Sequence, residues 1–231
     1  MNAPFLVECY NKLPQPQHGD DPDLLQAGMM EGMRGFAHAV QTRYNEGTLQ
    51  RLLTSPVTQL RRAAALAVGL IGTMQSNTAL SQSLRDDDTL VRKFATDSLW
   101  ELWFRAGTSD QNMRLQQALQ GPDLASIVAM LTELIDGAPD FAEAYNQRAI
   151  AHYRRGDFGR GSADCREALR LNPHHFGAAA GLGQCYLRIN RPRAALRAFQ
   201  QAMDINPSTE NVRDTIRGLE AALDETAMDG E

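Results

Sequence analysis

Long hydrophobic runs are missing from this chain of 231 residues. It contains no stretch of about 18 apolar residues, so the sequence predicts no membrane-spanning helix and no membrane partner. The first nine residues also lack a basic segment followed by a long apolar core, which argues against a secretory signal. We therefore expect a cytoplasmic protein.

Cysteine is scarce as well. The three cysteines, Cys9, Cys165 and Cys185, are odd in number and lack the spacing of a metal site, which is typical of a reducing compartment. Cys165 and Cys185 fall on helices that we expect to pack side by side. They either form a disulfide or serve as two small buried hydrophobic residues, and we favour the second interpretation.

The usual signatures of catalysis are absent. The sequence has no glycine-rich phosphate loop, no H-E-x-x-H motif and no C-x-x-C motif. His174 and His175 are candidate metal ligands, but turns between helices normally carry polar residues, so we expect a solvated turn. The net charge of -5 leaves neither predicted folded part strongly basic, which argues against nucleic-acid binding. We predict no enzymatic activity, no cofactor and no metal.

A repeat of 34 residues is present in the C-terminal half, where residues 142–175 align with residues 176–209. Each copy holds two apolar-periodic runs of about 13 residues, which predict a helical hairpin. Gly156 can cap one helix and Pro192 can open another. A single hairpin cannot bury its apolar face, so further copies should stack on it. The aligned residues are Tyr145, Arg148, Ala149, His152, Gly161, Cys165, Ala168 and Pro173, then Ala179, Leu182, Gly183, Tyr186, Ala195, Phe199, Ala202 and Pro207.

The period, the small residues at positions 8, 20 and 27, and the proline at position 32 resemble the tetratricopeptide repeat. Arg148 and Asp164 occupy positions 7 and 23, where some tetratricopeptide copies pair Arg with Asp, so the resemblance implies a partly buried ion pair. It also implies three repeats, over residues 107–141, 142–175 and 176–209, of which the first is a degenerate copy. A capping helix follows them and ends at residue 223.

A second repeat, of 31 residues, lies upstream, with Thr58–Ala64 aligned to Thr89–Ala95. Asp86–Asp88 offers caps and first-turn acids to the following helix. The run resembles the short HEAT-like repeats of phycobilin lyases and many bacterial scaffolds. In that family a turn aspartate and a helix arginine hydrogen-bond along the stack. Arg92 and its equivalent Arg61 match the arginine, but the first copy has no turn aspartate.

These patterns predict an all-α fold, a right-handed α-solenoid of about twelve helices in stacked hairpins without a β-sheet. The predicted segments are a flexible tail over residues 1–22, HEAT-like repeats over 23–106, the three tetratricopeptide repeats with their capping helix over 107–223, and an acidic tail over 224–231.

Two further features are candidate binding surfaces. Trp100, Trp103 and Phe104 should seal the junction between the two kinds of repeat, and an exposed aromatic patch is the alternative. Arginines also cluster at equivalent hairpin turns, where they form either an edge for an anionic partner or, as we favour, ordinary solvated turns. These arginines are Arg154, Arg155, Arg160, Arg188, Arg191 and Arg193.

The function that the resemblance implies is a non-catalytic scaffold that binds a protein or peptide in a concave groove. In the tetratricopeptide family, positions 2, 5, 9, 12 and 13 of each copy face this groove. The alternatives are a second copy of the chain as partner, and a small enzyme or chromophore-handling subunit suggested by the lyase-like repeats. The candidate partner-binding residues are Glu143, Asn146, Ile150, Tyr153, Arg154, Gln184, Leu187 and Arg188, with Arg213 and Arg217 of the capping helix.

Some tetratricopeptide proteins clamp the terminal carboxylate of a chaperone tail with lysine, arginine and asparagine side chains. This chain lacks those cations, so we expect an extended peptide rather than a carboxylate-ended tail. The residues at the clamp positions are Asn112, Gln116, Gln147, Gly177 and Gly181.

Overall fold

The computed structural model describes residues 4–14 and 22–228, apart from the side chains of residues 22–25, 210 and 226–228. Within these ranges the chain forms 13 α-helices and one 3₁₀ turn, Met74–Ser76, and no strand occurs among them. The all-α prediction is confirmed. None of the described helices is long and apolar enough to cross a bilayer. The chain divides into two compact units between Leu102 and Trp103.

The first unit is built around one helix rich in alanine, α4, whose residues 63–69 are all buried. Helices α1, α2 and α3 contact it. Helix α6 also approaches it closely, because a Cβ atom on Gly69 would lie only 2.1 Å from Ser98 Oγ. That hydroxyl donates a hydrogen bond to the carbonyl of Ala65 at 2.9 Å. The helices are α1 Phe5–Asn11, α2 Pro22–Gln41, α3 Glu46–Leu52, α4 Thr58–Ile71, α5 Asn77–Ser83 and α6 Thr89–Phe104.

The prediction of a flexible tail over residues 1–22 is wrong for residues 5–11, which form helix α1. Leu6 and Val7 are buried, and the Leu6 N–H donates to Tyr44 Oη at 3.3 Å. The guanidinium of Arg43 also lies 3.8 Å from the centre of the Phe5 ring. These tertiary contacts stabilise a helix that would be too short to persist alone. Residues 1–3 and 15–21 of the predicted tail lie outside the described residues.

Two arginines of α4 pair with the turn before α6. Arg61 donates to Asp86 at 2.6 and 2.9 Å, and Arg62 donates to Asp88 at 2.8 and 2.5 Å. Arg61 also donates to the carbonyl of Ser55, as Arg92 does to that of Asp86, one 31-residue period later. An arginine and a turn aspartate of successive hairpins are thus bonded, and the HEAT-like identification itself stays a prediction.

The second unit is a series of helices in which each contacts the next along the chain, from α7 to α13. Gly156 ends α9 with a φ of 84°, and Pro192 begins α12, as predicted. The small residue at Gly183 lets α12 approach α11, because a Cβ atom there would lie 2.7 Å from the Phe199 ring. The helices are α7 Ser109–Leu119, α8 Leu124–Gly137, α9 Ala142–Arg155, α10 Phe158–Leu171, α11 Phe176–Arg188, α12 Pro192–Ile205 and α13 Glu210–Met228.

The last helix, α13, extends beyond residue 223, where the capping helix was predicted to end. Val212, Ile216 and Leu219 of α13 pack against the cluster around Phe199, as a capping helix requires. The helix continues to Met228, so the acidic tail predicted over residues 224–231 is helical through residue 228. Residues 221–228 contain no Gly or Pro that would end the helix. The final three residues lie outside the described part of the chain.

The expected ion pair of the central hairpin is present. Arg148 Nε and Nη2 each donate to Asp164 at 2.8 Å, and Nη1 donates to Thr132 Oγ1 at 3.1 Å. The Arg148 and Asp164 side chains are 17% and 10% exposed. The pair therefore joins α8, α9 and α10 in a partly buried polar contact.

Asp164→Ala should remove both carboxylate acceptors from this partly buried guanidinium. We expect the free energy of unfolding to fall by about 3–5 kcal/mol, measured by urea denaturation followed by circular dichroism. The exposed pair Arg170–Glu167 is the matched control, and Glu167→Ala should cost less than about 1 kcal/mol. A loss for Asp164→Ala as small as that of the control would contradict the prediction.

Acid should weaken the first unit through Asp88. The hydrogen bond from Arg62 lowers the pKa of Asp88 to about 2, from an ordinary value of 3.8. Because the pKa is lower in the folded state, the stabilisation by Asp88 is present above its ordinary pKa and is lost as the pH falls towards about 2. Melting temperatures of the wild type and Asp88→Asn should therefore converge over this range. A constant difference between the two proteins would refute the assignment.

Candidate functional site

The candidate site is the face that α9 and α11 form together in the second unit. These two helices contact each other although α10 separates them in sequence. A cavity of about 130 Å³, here called the groove pocket, lies on this face. It is lined by Asn146, Ala149, Ile150 and Tyr153 of α9, Cys165 of α10, and Gly177, Gly181, Gln184 and Cys185 of α11.

Two thiols form the buried side of the groove pocket. Cys165 and Cys185 are free and almost fully buried, as the favoured interpretation expected. The neighbouring Cys185 thiol and burial together raise the pKa of Cys165, so this thiol stays neutral. The absence of a side chain on Gly181 leaves space beside the Cys165 thiol, since a Cβ atom there would lie 3.3 Å from Cys165 Sγ. Small residues therefore create the pocket, and the Cys165 thiol adds no charge to its lining.

The rim of the groove pocket is partly apolar and partly polar. Ile150 is 44% exposed, which is high for an aliphatic side chain, and Gln184 is exposed beside it. The Tyr153 ring packs edge-on against Phe158 at 5.3 Å between centroids. The Arg188 guanidinium lies 4.6 Å from the Phe158 centroid and 5.8 Å from that of Tyr153. A cation therefore lies beside an open apolar pocket.

The structure brings four of the ten predicted partner-binding residues to the groove pocket, namely Asn146, Ile150, Tyr153 and Gln184. Arg154 and Arg188 are exposed, and Leu187 is half-buried. Arg213 and Arg217 are exposed on α13, where they bond to the carbonyl of Pro207 and to Asp214. They do not line the groove pocket. All six arginines of the predicted turn edge are exposed, and its anion binding stays a prediction.

Glu143 was predicted to contact a partner, and the structure contradicts this. The residue is 1% exposed and its carboxylate accepts hydrogen bonds from three side chains. Asn146 Nδ2 and Gln147 Nε2 donate to Oε1 at 3.1 and 2.6 Å, and His175 Nε2 lies 2.8 Å from Oε2. Since Asn146 is also 2% exposed, its amide serves this buried network first. Glu143 and Asn146 therefore stabilise the fold through these hydrogen bonds, and neither side chain is exposed for contact with a partner.

His175 was expected in a solvated turn, and this is also wrong. It is fully buried, and its Nδ1 accepts a hydrogen bond from the Ala178 N–H at 3.1 Å, which caps α11. Because Nδ1 is an acceptor, the ring is neutral and its Nε2–H donates to Glu143. Among the described residues, no group of three or more His, Cys, Asp or Glu side chains is placed to hold a metal ion.

Trp103 completes this buried network. Its ring stacks on His175 at 4.1 Å between centroids with an interplanar angle of 25°, and it contacts Phe176 at 5.1 Å. The residue is 1% exposed, so it forms no part of an exposed aromatic patch. Trp103 was predicted to seal a junction together with Trp100 and Phe104, and its observed ring contacts are to His175 and Phe176.

Comparison with known proteins identifies the repeats of this region. Residues 140–208 match the tetratricopeptide repeat family model, which confirms the repeat identification for this segment. A TPR repeat-containing protein of Rhizobium etli is 25% identical over 124 residues, which cover 52% of this chain and 61% of that protein. The human Protein SGT1 homolog is 30% identical over 131 residues, covering 54% of this chain and 36% of that protein. The chain thus spans less than two thirds of either relative.

Two solved structures are similar to parts of the chain. The Arabidopsis OM64 TPR domain superposes with a TM-score of 0.44 at 21% identity and covers 47% of this chain and 90% of that one. The TPR2AB-domain:pHSP90-complex of yeast Sti1 gives a TM-score of 0.41 at 17% identity and covers 85% of this chain and 90% of that one.

Glu143→Gln and His175→Phe test the structural role of the buried network. The amide would place an NH₂ donor against other donors. Phenylalanine would keep a ring against Trp103 but would remove the donor to Glu143 and the acceptor that caps α11. Each change should lower the free energy of unfolding by about 1–3 kcal/mol, measured by urea denaturation. The double mutant should lose less than the sum, because the two residues share one hydrogen bond. Additive losses, or single losses below about 0.5 kcal/mol, would refute this role.

Proposed function

We propose that this protein is a non-catalytic interaction scaffold that binds an extended segment of another protein on the α9–α11 face. The observation that carries the proposal is the groove pocket, an apolar cavity bordered by the exposed Ile150 and Gln184 on a tetratricopeptide repeat segment. Exposed aliphatic groups beside amides suit an extended peptide, because the amides can hydrogen-bond its backbone. Tetratricopeptide repeats are typically protein-interaction modules without catalytic activity.

The site residues of this proposal are those that the structure leaves accessible. Ile150, Tyr153 and Gln184 would contact the bound segment directly, and Arg154 and Arg188 would contribute charge. Glu143 is excluded because it is buried in its own hydrogen bonds. Arg213 and Arg217 remain proposals for a longer partner that extends to α13.

We propose the domain division of the chain in the same terms. Helices α7 and α8 would form the degenerate first repeat over residues 107–141, followed by the repeats 142–175 and 176–209 with α13 as the cap. Helices α2 to α6 would form the HEAT-like segment over residues 23–106. The 31-residue period of the Arg61 and Arg92 hydrogen bonds supports this second assignment.

An enzymatic or chromophore-handling function has less support. A reactive site needs convergent polar groups that are free to act on a substrate. The polar lining of the groove pocket consists of two amides, a tyrosine and two thiols, of which Cys165 is neutral. A second cavity holds Arg148, His152 and Asp164, but the arginine and the aspartate are already paired with each other.

Affinity capture with matched variants tests the proposed face. The double variant Ile150→Asp/Gln184→Ala changes its exposed rim and spares Asn146, whose loss would disturb the Glu143 network. Proteins captured by the wild type should decrease by about tenfold or more with this variant, because exposed anchors of a face carry most of its binding energy. Quantitative mass spectrometry of the captured proteins gives the ratio.

The matched control is Gln201→Asp on α12, an exposed helical position outside the groove pocket. It should capture the same proteins as the wild type, and circular dichroism should show all three proteins folded. If every captured protein is retained at full strength by Ile150→Asp/Gln184→Ala, the α9–α11 face is not the binding site.

A further inference from the structure

We infer that the groove pocket is the anchor for one aliphatic side chain of leucine, isoleucine or methionine size, next to an acidic residue of the bound segment. This inference rests on the proposed function and specifies which segment the face accepts. It follows from the volume of the pocket, the residues that leave it empty and the charge at its rim.

The volume limits the size of the anchored group. Cavities of about 150 Å³ with aliphatic linings hold a group as large as benzene. The groove pocket measures about 130 Å³, which is enough for a branched aliphatic or thioether side chain. The buried wall is formed by thiols and alanine, which offer contacts to carbon, and no Lys, Arg, Asp or Glu is among the residues that line the pocket. A charged anchor would therefore lose its hydration without a partner.

Two glycines on α11 make this volume available. Gly177 and Gly181 are one helical turn apart and both line the groove pocket. A Cβ atom on Gly181 would lie 3.3 Å from Cys165 Sγ, so a longer side chain at this position would occupy the cavity itself. Since glycine weakens a helix interior by about 1 kcal/mol relative to alanine, the open space has a cost in stability.

The charge at the rim selects the neighbour of the anchored residue. The Arg188 guanidinium lies over the Tyr153 and Phe158 rings beside the pocket, and Arg154 follows Tyr153 in an exposed position. Glu143 does not offset these cations at the surface, because it is buried in its hydrogen-bond network. An aspartate or glutamate next to the anchored residue would form charge-assisted hydrogen bonds with the arginines.

Peptide display on the full chain tests this specificity without knowledge of the natural partner. The probe is a library of random heptapeptides fused at their C-terminal ends, so that no free carboxylate is offered. Selected sequences should share one Leu, Ile or Met next to Asp or Glu. Fluorescence anisotropy with a labelled peptide of that consensus should show at least a tenfold weaker Kd when its aliphatic residue is changed to alanine.

Variants of the pocket then test where the anchor binds. Gly181→Leu should fill the cavity and weaken the consensus peptide by about tenfold or more, while the new residue favours the helix. Gly159→Leu is the matched control, because Gly159 lies in helix α10 with nothing within 4 Å of an added Cβ, and it should bind like the wild type. Cys165→Ala enlarges the pocket and should shift selection towards phenylalanine.

The outcomes separate this inference from the proposed function. If peptides require Ile150 but bind Gly181→Leu as tightly as the wild type, or if they share a basic or tryptophan anchor, the face binds peptides and the inference is overturned. If no peptide is selected, or if the selected peptides bind Ile150→Asp unchanged, both the inference and the proposed function fail. If Gly181→Leu does not fold, Cys165→Ala provides the test. A shift of the selected anchor towards phenylalanine supports the inference, and an unchanged selection overturns it.

Discussion

The buried carboxylate of Glu143 is the constraint on which the candidate site depends. An ionised group without water must have its hydrogen-bonding capacity met by protein donors, or it destabilises the fold by several kcal/mol. Here the donors are Asn146 and Gln147 of the same helix and His175 at the start of α11. Glu143 lies in the first turn of α9, where the helix dipole also favours a negative charge. The first turn of α9 is therefore held to the N-cap of α11, which fixes the spacing of the two helices that form the groove pocket.

Other polar contacts join successive elements by charged pairs instead. Arg148 bonds both Asp164 and Thr132, and so joins α9 to the helices on either side of it in sequence. Arg61 makes the corresponding contact to Asp86 in the first unit. In each case a guanidinium with two donors matches a carboxylate with two acceptors, which gives a directional contact where apolar faces alone would allow sliding. Apolar packing supplies most of the burial, and these pairs specify how neighbouring hairpins align.

The repeat periods explain why much of the fold could be predicted from the sequence. The 34-residue period predicts paired helices, and local residues such as Gly156 and Pro192 mark their ends, so the hairpins follow from the pattern. The Arg148–Asp164 pair is what the resemblance to the tetratricopeptide repeat implies at positions 7 and 23. Contacts outside the repeats follow from no such rule. Helix α1 is stabilised by Tyr44 and Arg43, far away in sequence, while its flanking prolines suggest a tail. His175 is polar and its place in the sequence suits a turn, and only the tertiary fold places Trp103 and Glu143 around it.

The same limit applies to the candidate site, because motif positions identify side chains that face a groove but not the space between them. Glu143 and Ile150 both occupy groove-facing positions of the motif. Glu143 is nevertheless buried and hydrogen-bonded to three side chains, whereas Ile150 is 44% exposed. The groove pocket exists because Gly177 and Gly181 have no side chains and because the side chains of Cys165 and Cys185 are small. Volume is a property of several helices together, so it appears only once their packing is known. In the proposed function, the residues with most influence on the specificity of this face are therefore those that contribute least surface to it.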